Sequence, residues 1–256
     1  MNDNGVSIEL LKEWLKVLED AVYKMRVDQH VFRSVFDIIE KSDELQKRPS
    51  HFYAWMYDNY VERMAMGIRR LRDTRPKTIS ITTFLRRIKG DPTVISRKYY
   101  FTHFPPDFLR VSMLPKEQND LLRTRTINRE YDRLVGGEGL AQPTAELLDS
   151  EIAWLDMFGE PVVTYATKVI AHHDEKPPQA FPTLDDVDTF IDYAEELVKK
   201  YIVLVNGVSQ EFGVHFQYDW LAPLRVTWLP QAEWFRLLKE RQDAVDSAGT
   251  AVASDS

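Results

Sequence analysis

Apolar residues recur along most of this chain at three- and four-residue spacing, and no strict alternation runs long enough to build a large sheet. The pattern predicts an all-α protein, an up-and-down helical bundle. Ser7 is placed to N-cap a first helix with Glu9 in its opening turn. Leu10, Leu11, Trp14, Leu15, Leu18, Val22 and Met25 keep to one face of it. A second helix is expected from about Val31, through Phe32, Val35, Phe36, Ile38 and Ile39, stopping before Pro49. A third runs from about Ser50 to Asp73 with Phe52, Trp55, Met56, Tyr60, Met64, Ile68 and Leu71, which at helical spacing read as core.

Arg75-Pro76-Lys77 breaks the chain, and Ser80 caps a short helix through Phe84, Leu85 and Ile88 that ends at Gly90-Asp91-Pro92. Residues 96–114, with Phe104-Pro105-Pro106, read as irregular or extended. Pro115 opens a helix to about Val135, and Gly136-Gly137-Glu138-Gly139 stops it. This glycine cluster lacks both the Gly-Lys-Ser/Thr ending and the preceding strand of a phosphate loop. Thr144 starts a further helix that Gly159-Glu160-Pro161 should kink or end, with Pro161 restarting it towards His172. Thr183 and Asp186 form a capping-box pattern opening a long helix that closes at Gly207. Beyond it, Phe212 to Trp228 is aromatic and partly extended in pattern, and Pro230 begins a last amphipathic helix. The organisation expected is one domain over residues 1–243, with its core at about 50–206 and additional N- and C-terminal segments that are helical or irregular. A polar, disordered tail is expected over 244–256.

Composition narrows the class. A chain of 256 residues with 44% hydrophobic residues can bury one sizeable core. With no cysteine there are no disulfides, thiolate zinc sites or cysteine nucleophile, which fits a reducing cytoplasm. The first residues lack a basic leader, and the longest apolar run, around Tyr201–Val205, is too short to span a bilayer, so a cytoplasmic protein without membrane contact is expected.

The net charge of −7 conceals an asymmetry. Residues 63–98 hold 11 Lys/Arg against Asp73 and Asp91, a balance of +9. Residues 138–196 hold 14 acids against Lys168 and Lys176, a balance of −12. A basic segment of this kind serves either as a phosphate-binding face or as a complement to the acidic half, within one molecule or across a dimer interface.

One stretch concentrates titratable groups: Lys168-Val-Ile-Ala-His172-His173-Asp174, at the end of the helix that follows Pro161. Histidine exchanges protons near neutral pH, and a cation one turn away stabilises charge on phosphorus. In an α-helix Lys168 and His172 share a face, whereas His173 points roughly 100° away. The same residues also suit a purely structural role, since cations and imidazoles near a helix C-terminus cap carbonyls and complement the dipole. Adjacent histidines chelate poorly and no HExxH or comparable spacing occurs, so neither a metal nor any other cofactor is expected.

Four segments in order carry a resemblance: Tyr60 to Asp73, Ser80 to Ile88, Lys168 to Asp174, and Leu184 to Val205. In them the chain resembles the HEPN superfamily (higher eukaryotes and prokaryotes nucleotide-binding), in its abortive-infection, AbiU-like branch, over roughly residues 10–206. The resemblance implies a HEPN-type bundle, a homodimer, and a metal-independent endoribonuclease site built from an arginine and a histidine four to six residues beyond it. His172 matches the histidine, which would assist 2′-hydroxyl attack or protonate the leaving group. The arginine is absent: Ala166 and Thr167 stand at its place, and the nearest cation is Lys168.

His172 and Lys168 are thus the catalytic candidates, with Arg63, Arg69, Arg70, His173 and Asp174 as candidate RNA contacts, any of the three arginines being available to replace the missing one in space. The expected role is a ribonuclease or toxin-like RNA-binding protein of phage defence or stress response, with RNA as substrate and an antitoxin or other protein as partner. The alternative is a catalytically silent helical module for dimerisation or partner binding. Nucleic-acid binding through Arg69, Arg70, Arg72, Arg86, Arg87, Arg97 and Lys98, with bases stacking on Tyr99 and Tyr100, is a further option, against a role for those rings in plugging a loop onto the core.

Overall fold

The computed structural model describes residues 6–47, 50–171, 182–214, 216, 218–225, 236 and 239–241. The chain divides into two compact units, residues 1–214 and 215–256. In the first unit eight α-helices follow in order: α1 (Ile8–Glu40), α2 (Asp43–Gln46), α3 (His51–Leu71), α4 (Ile81–Gly90), α5 (Arg97–Phe101), α6 (Lys116–Val135), α7 (Ala145–Tyr165) and α8 (Leu184–Asn206). A 3-10 turn, Pro92–Ile95, precedes α5, and a π-helical segment, Ala166–Ala171, continues α7. No strand occurs among the described residues, so the unit is the all-α bundle that the periodicity predicts. In the second unit the described residues include a 3-10 turn, Ala222–Arg225, and the ring of Phe216 against Trp220. The tail 244–256 and most of the helix expected after Pro230 lie outside the described residues.

Helix starts follow the capping residues. The side chains of Ser7, Ser50, Ser80, Ser96, Thr144 and Thr183 each accept a backbone N–H of the turn they open. Gly136 and Gly207 end α6 and α8 in the left-handed conformation that glycine adopts without a Cβ penalty. A single apolar core joins the long helices: Leu11, Leu15, Leu18 and Val22 of α1, Met64 and Ile68 of α3, Phe84 and Leu85 of α4, and Phe190, Ala194 and Tyr201 of α8 are all essentially buried. Helix α1 packs along α8, and α7 lies between α8 and α3.

Three expectations about local structure are corrected. The first two predicted helices are one helix of 33 residues. The polar run Arg26–His30 does not interrupt α1 because it faces the acids of α8: Arg26 pairs with Glu195 and Asp192, Gln29 donates to Asp188 at 2.6 Å, and Arg33 pairs with Asp188. Helix α7 continues through Pro161 to Tyr165. The proline removes its own N–H and crowds the carbonyl four residues before it, but Leu155, Gly159 and Val162 stay buried on either side and hold the helix together. Within residues 96–114, Arg97–Phe101 is a short helix where an irregular or extended segment is expected, and residues 102–114 are irregular as expected. Arg97 fixes the short helix there by donating to the Leu140 carbonyl and the Asn128 side chain, pairing with Asp132 and lying over the Tyr131 ring.

Candidate functional site at the end of α7 and along α3

Helices α3 and α7 run antiparallel, and their side chains fix the register. Near the C-terminal end of α3, Arg72 donates to Asp156 and to Glu160 of α7, both at 2.9 Å. Its side chain is only 9% exposed, and its remaining nitrogen, Nη1, is buried without a hydrogen-bond partner among the described residues. The Arg72 guanidinium holds the Glu160 carboxyl below its ordinary pKa. The approach is close because position 159 is glycine: a Cβ there would lie 2.1 Å from Cδ of Arg72. Towards the other end of α3, Tyr165 lies near Tyr57, Asp58 and Glu62. Burial first, and then those two carboxylates, push its phenol pKa upward.

Lys168 comes one turn after Tyr165, half-buried in the π-segment. Hydrogen bonds there close at i→i+5, one residue wider than in an α-helix. Such π-turns are frequent at functional sites, where they re-aim side chains. Ala166 is fully buried in the core, whereas Thr167 and Lys168 are partly exposed. An arginine at position 166 would have to be buried among apolar side chains, so packing excludes it there. His172, His173 and Asp174 lie outside the described residues.

Arg63 projects from α3 and pairs with Asp28 of α1. Arg69 and Arg70 are exposed and have neither an ion-pair nor a hydrogen-bond partner among the described residues. They line an open groove of about 810 Å³ with Arg72, Arg75, Thr74 and Asp156. Arg70 stands eight residues beyond Glu62, on the order of 12 Å of helix rise. The structure thus gathers Arg69 and Arg70 with Arg72 and the middle of α7, while Lys168 follows Tyr165 towards the acidic half of α3. Tyr99 and Tyr100 are core plugs: Tyr100 is 1% exposed and the Tyr99 hydroxyl donates to the Val205 carbonyl at 2.8 Å.

The helical order agrees with one family, and the family model of AbiU2, a HEPN family, matches residues 8–223. The chain belongs to the AbiU2 family of HEPN proteins. No curated protein and no solved structure matches it. Of the two positions where the resemblance implies an arginine, Ala166 is buried in the core and Thr167 is partly exposed. Among the described residues there is no cluster of His, Asp or Glu able to hold a metal ion, and no helix long and apolar enough to cross a membrane.

Residue patterns alone did not single out two polar features. One is the groove beside Arg72. The other is Glu151, 5% exposed, which accepts from the Tyr201 hydroxyl at 2.6 Å and pairs with Lys200. Its signal is a carboxylate inside the buried series Leu148, Glu151, Leu155, Gly159, Val162. Enclosed between α7 and α8, the Glu151 carboxylate ties α7 to Lys200 and Tyr201 of α8.

Proposed function

We propose that the protein acts in abortive infection as a homodimeric, cytoplasmic, metal-independent endoribonuclease whose working segment is the end of α7. The AbiU2 match over residues 8–223 carries this reading. In it His172 is the acid/base and Lys168 contacts the scissile phosphate, neutralising charge that develops on phosphorus. Lysine acts there as a point charge without the bidentate fork of arginine, so the site would be slower than one with the family arginine. His173 and Asp174 are further RNA contacts in this reading, and an antitoxin or other protein partner restrains the activity.

The burial of Ala166 favours a second reading, a silent helical module that dimerises or binds a partner, because the position expected to hold the arginine is closed to it. A phage challenge separates the two. A bacterial host expressing wild type should plate lytic phages poorly, and His172→Ala should restore plating. Equal protection by wild type and His172→Ala supports the silent module, and no protection by wild type contradicts the role in abortive infection.

A further inference from the structure

Two grooves flank the loop 73–78 that joins α3 to α4, and both are lined by Thr74. The first holds Arg69, Arg70, Arg72 and Arg75. The second, about 410 Å³, holds Arg86 and Arg87 of α4. The Arg86 guanidinium reaches across to the Thr74 carbonyl at 3.4 Å, which makes the two grooves neighbours along one surface. The loop between them is ordered by its own bonds: the Ser80 hydroxyl donates to the Asp73 carbonyl, and the Thr83 hydroxyl donates to the Thr78 carbonyl at 2.7 Å.

The charges along this surface are unequally engaged. Each carboxylate that lines it already has a partner: Asp73 binds Arg75, Asp156 binds Arg72, and Asp91 accepts from the Thr93 backbone and hydroxyl. The acidic half of the sequence takes up Arg72 and also Lys89, which pairs with Asp149 at 2.6 Å. Arg69 and Arg70 are left unpaired among the described residues, Arg86 keeps only its long contact to Thr74, and Arg87 lies over the Trp14 ring at 4.5 Å. The intramolecular complement therefore consumes part of the +9 segment and leaves a row of arginine forks with no acid to meet them.

We infer that this surface is a phosphate-binding track for the backbone of single-stranded RNA, with Arg69 and Arg70 holding phosphates on one side of Thr74 and Arg86 on the other. Guanidinium forks suit bidentate phosphate contacts, and cations spread over two adjoining grooves suit a repeating polyanion better than a single small anion. Arg72, buried and committed to α7, sets the shape of the track without touching the ligand. The track rests on the proposed action on RNA, but it stands apart from the Lys168 segment, so binding and cleavage can fail separately.

The test is fluorescence anisotropy of wild type with a labelled single-stranded RNA of mixed sequence, titrated at several salt concentrations. Arg69→Gln/Arg70→Gln and Arg86→Gln should each weaken binding about tenfold at low salt and flatten the salt dependence by roughly one unit for each phosphate no longer bound. Arg129→Gln, an exposed arginine of α6, should bind as wild type does. Unchanged affinity in the groove variants, or no RNA binding by wild type, overturns the track. Competition by polyglutamate at equal charge concentration also overturns it, by assigning the surface to an acidic protein. Binding that depends on these arginines in a protein that cleaves nothing upholds the track and defeats the nuclease reading; cleavage that ignores them does the reverse.

Discussion

At position 159 a hydrogen stands where any other residue would drive a carbon into Arg72, so one glycine permits the clamp that fixes α3 against α7. Helix geometry separates Arg72 from its neighbours: it falls four residues after Ile68, on the core side, whereas Arg69 and Arg70 turn outward. That division is readable from the sequence, but the acids that receive Arg72 are not, because Asp156 and Glu160 arrive from another helix. His103 is a second case in which local surroundings decide behaviour. Its Nε2 is buried without a partner among the described residues, and burial lowers its pKa, with Lys12 acting in the same direction and the Leu204 backbone opposing. The unfolded chain therefore takes up a proton at about pH 6.5 that the folded chain refuses, and stability falls as pH drops from there towards the lowered value. Urea midpoints measured on both sides of that pH should show the loss in wild type and a smaller loss in His103→Phe.

Helix boundaries were the most readable level of structure. Ser7, Ser80, Thr144 and Thr183 cap where their spacing predicts, and Gly136 and Gly207 stop where glycine is needed. Continuity was harder to read: Arg26–His30 looks like a gap until the acids of α8 are placed opposite, and Pro161 looks like a break until α7 is seen to be held by its buried flanks. The π-segment after Tyr165 has no sequence rule that announces it. The packing of α7 on α8 carries its own prediction. Glu151 is bound by both Lys200 and Tyr201, so Glu151→Ala leaves a half-buried ammonium without its acid and should cost about 3–5 kcal/mol in denaturant unfolding. Glu151→Leu/Lys200→Met should recover much of that loss; a single variant as stable as wild type would show the cluster to be dispensable.

Across the whole chain, the class of fold was open to reading because periodicity and caps are local, and the order of segments led to the family. The site was only half open. Lys168 stands one turn after Tyr165, as a helix following Pro161 implies, whereas the burial of Ala166 shows only in the packed core. The activity proposed for this helix end is cleavage of RNA without a metal and without an arginine at position 166 or 167. Single-turnover cleavage of a labelled RNA in EDTA tests it most directly. Wild type should cleave, His172→Ala should fall by about a hundredfold or more, and Lys168→Ala should fall by less; intact RNA with wild type, or identical rates for wild type and His172→Ala, would contradict the claim.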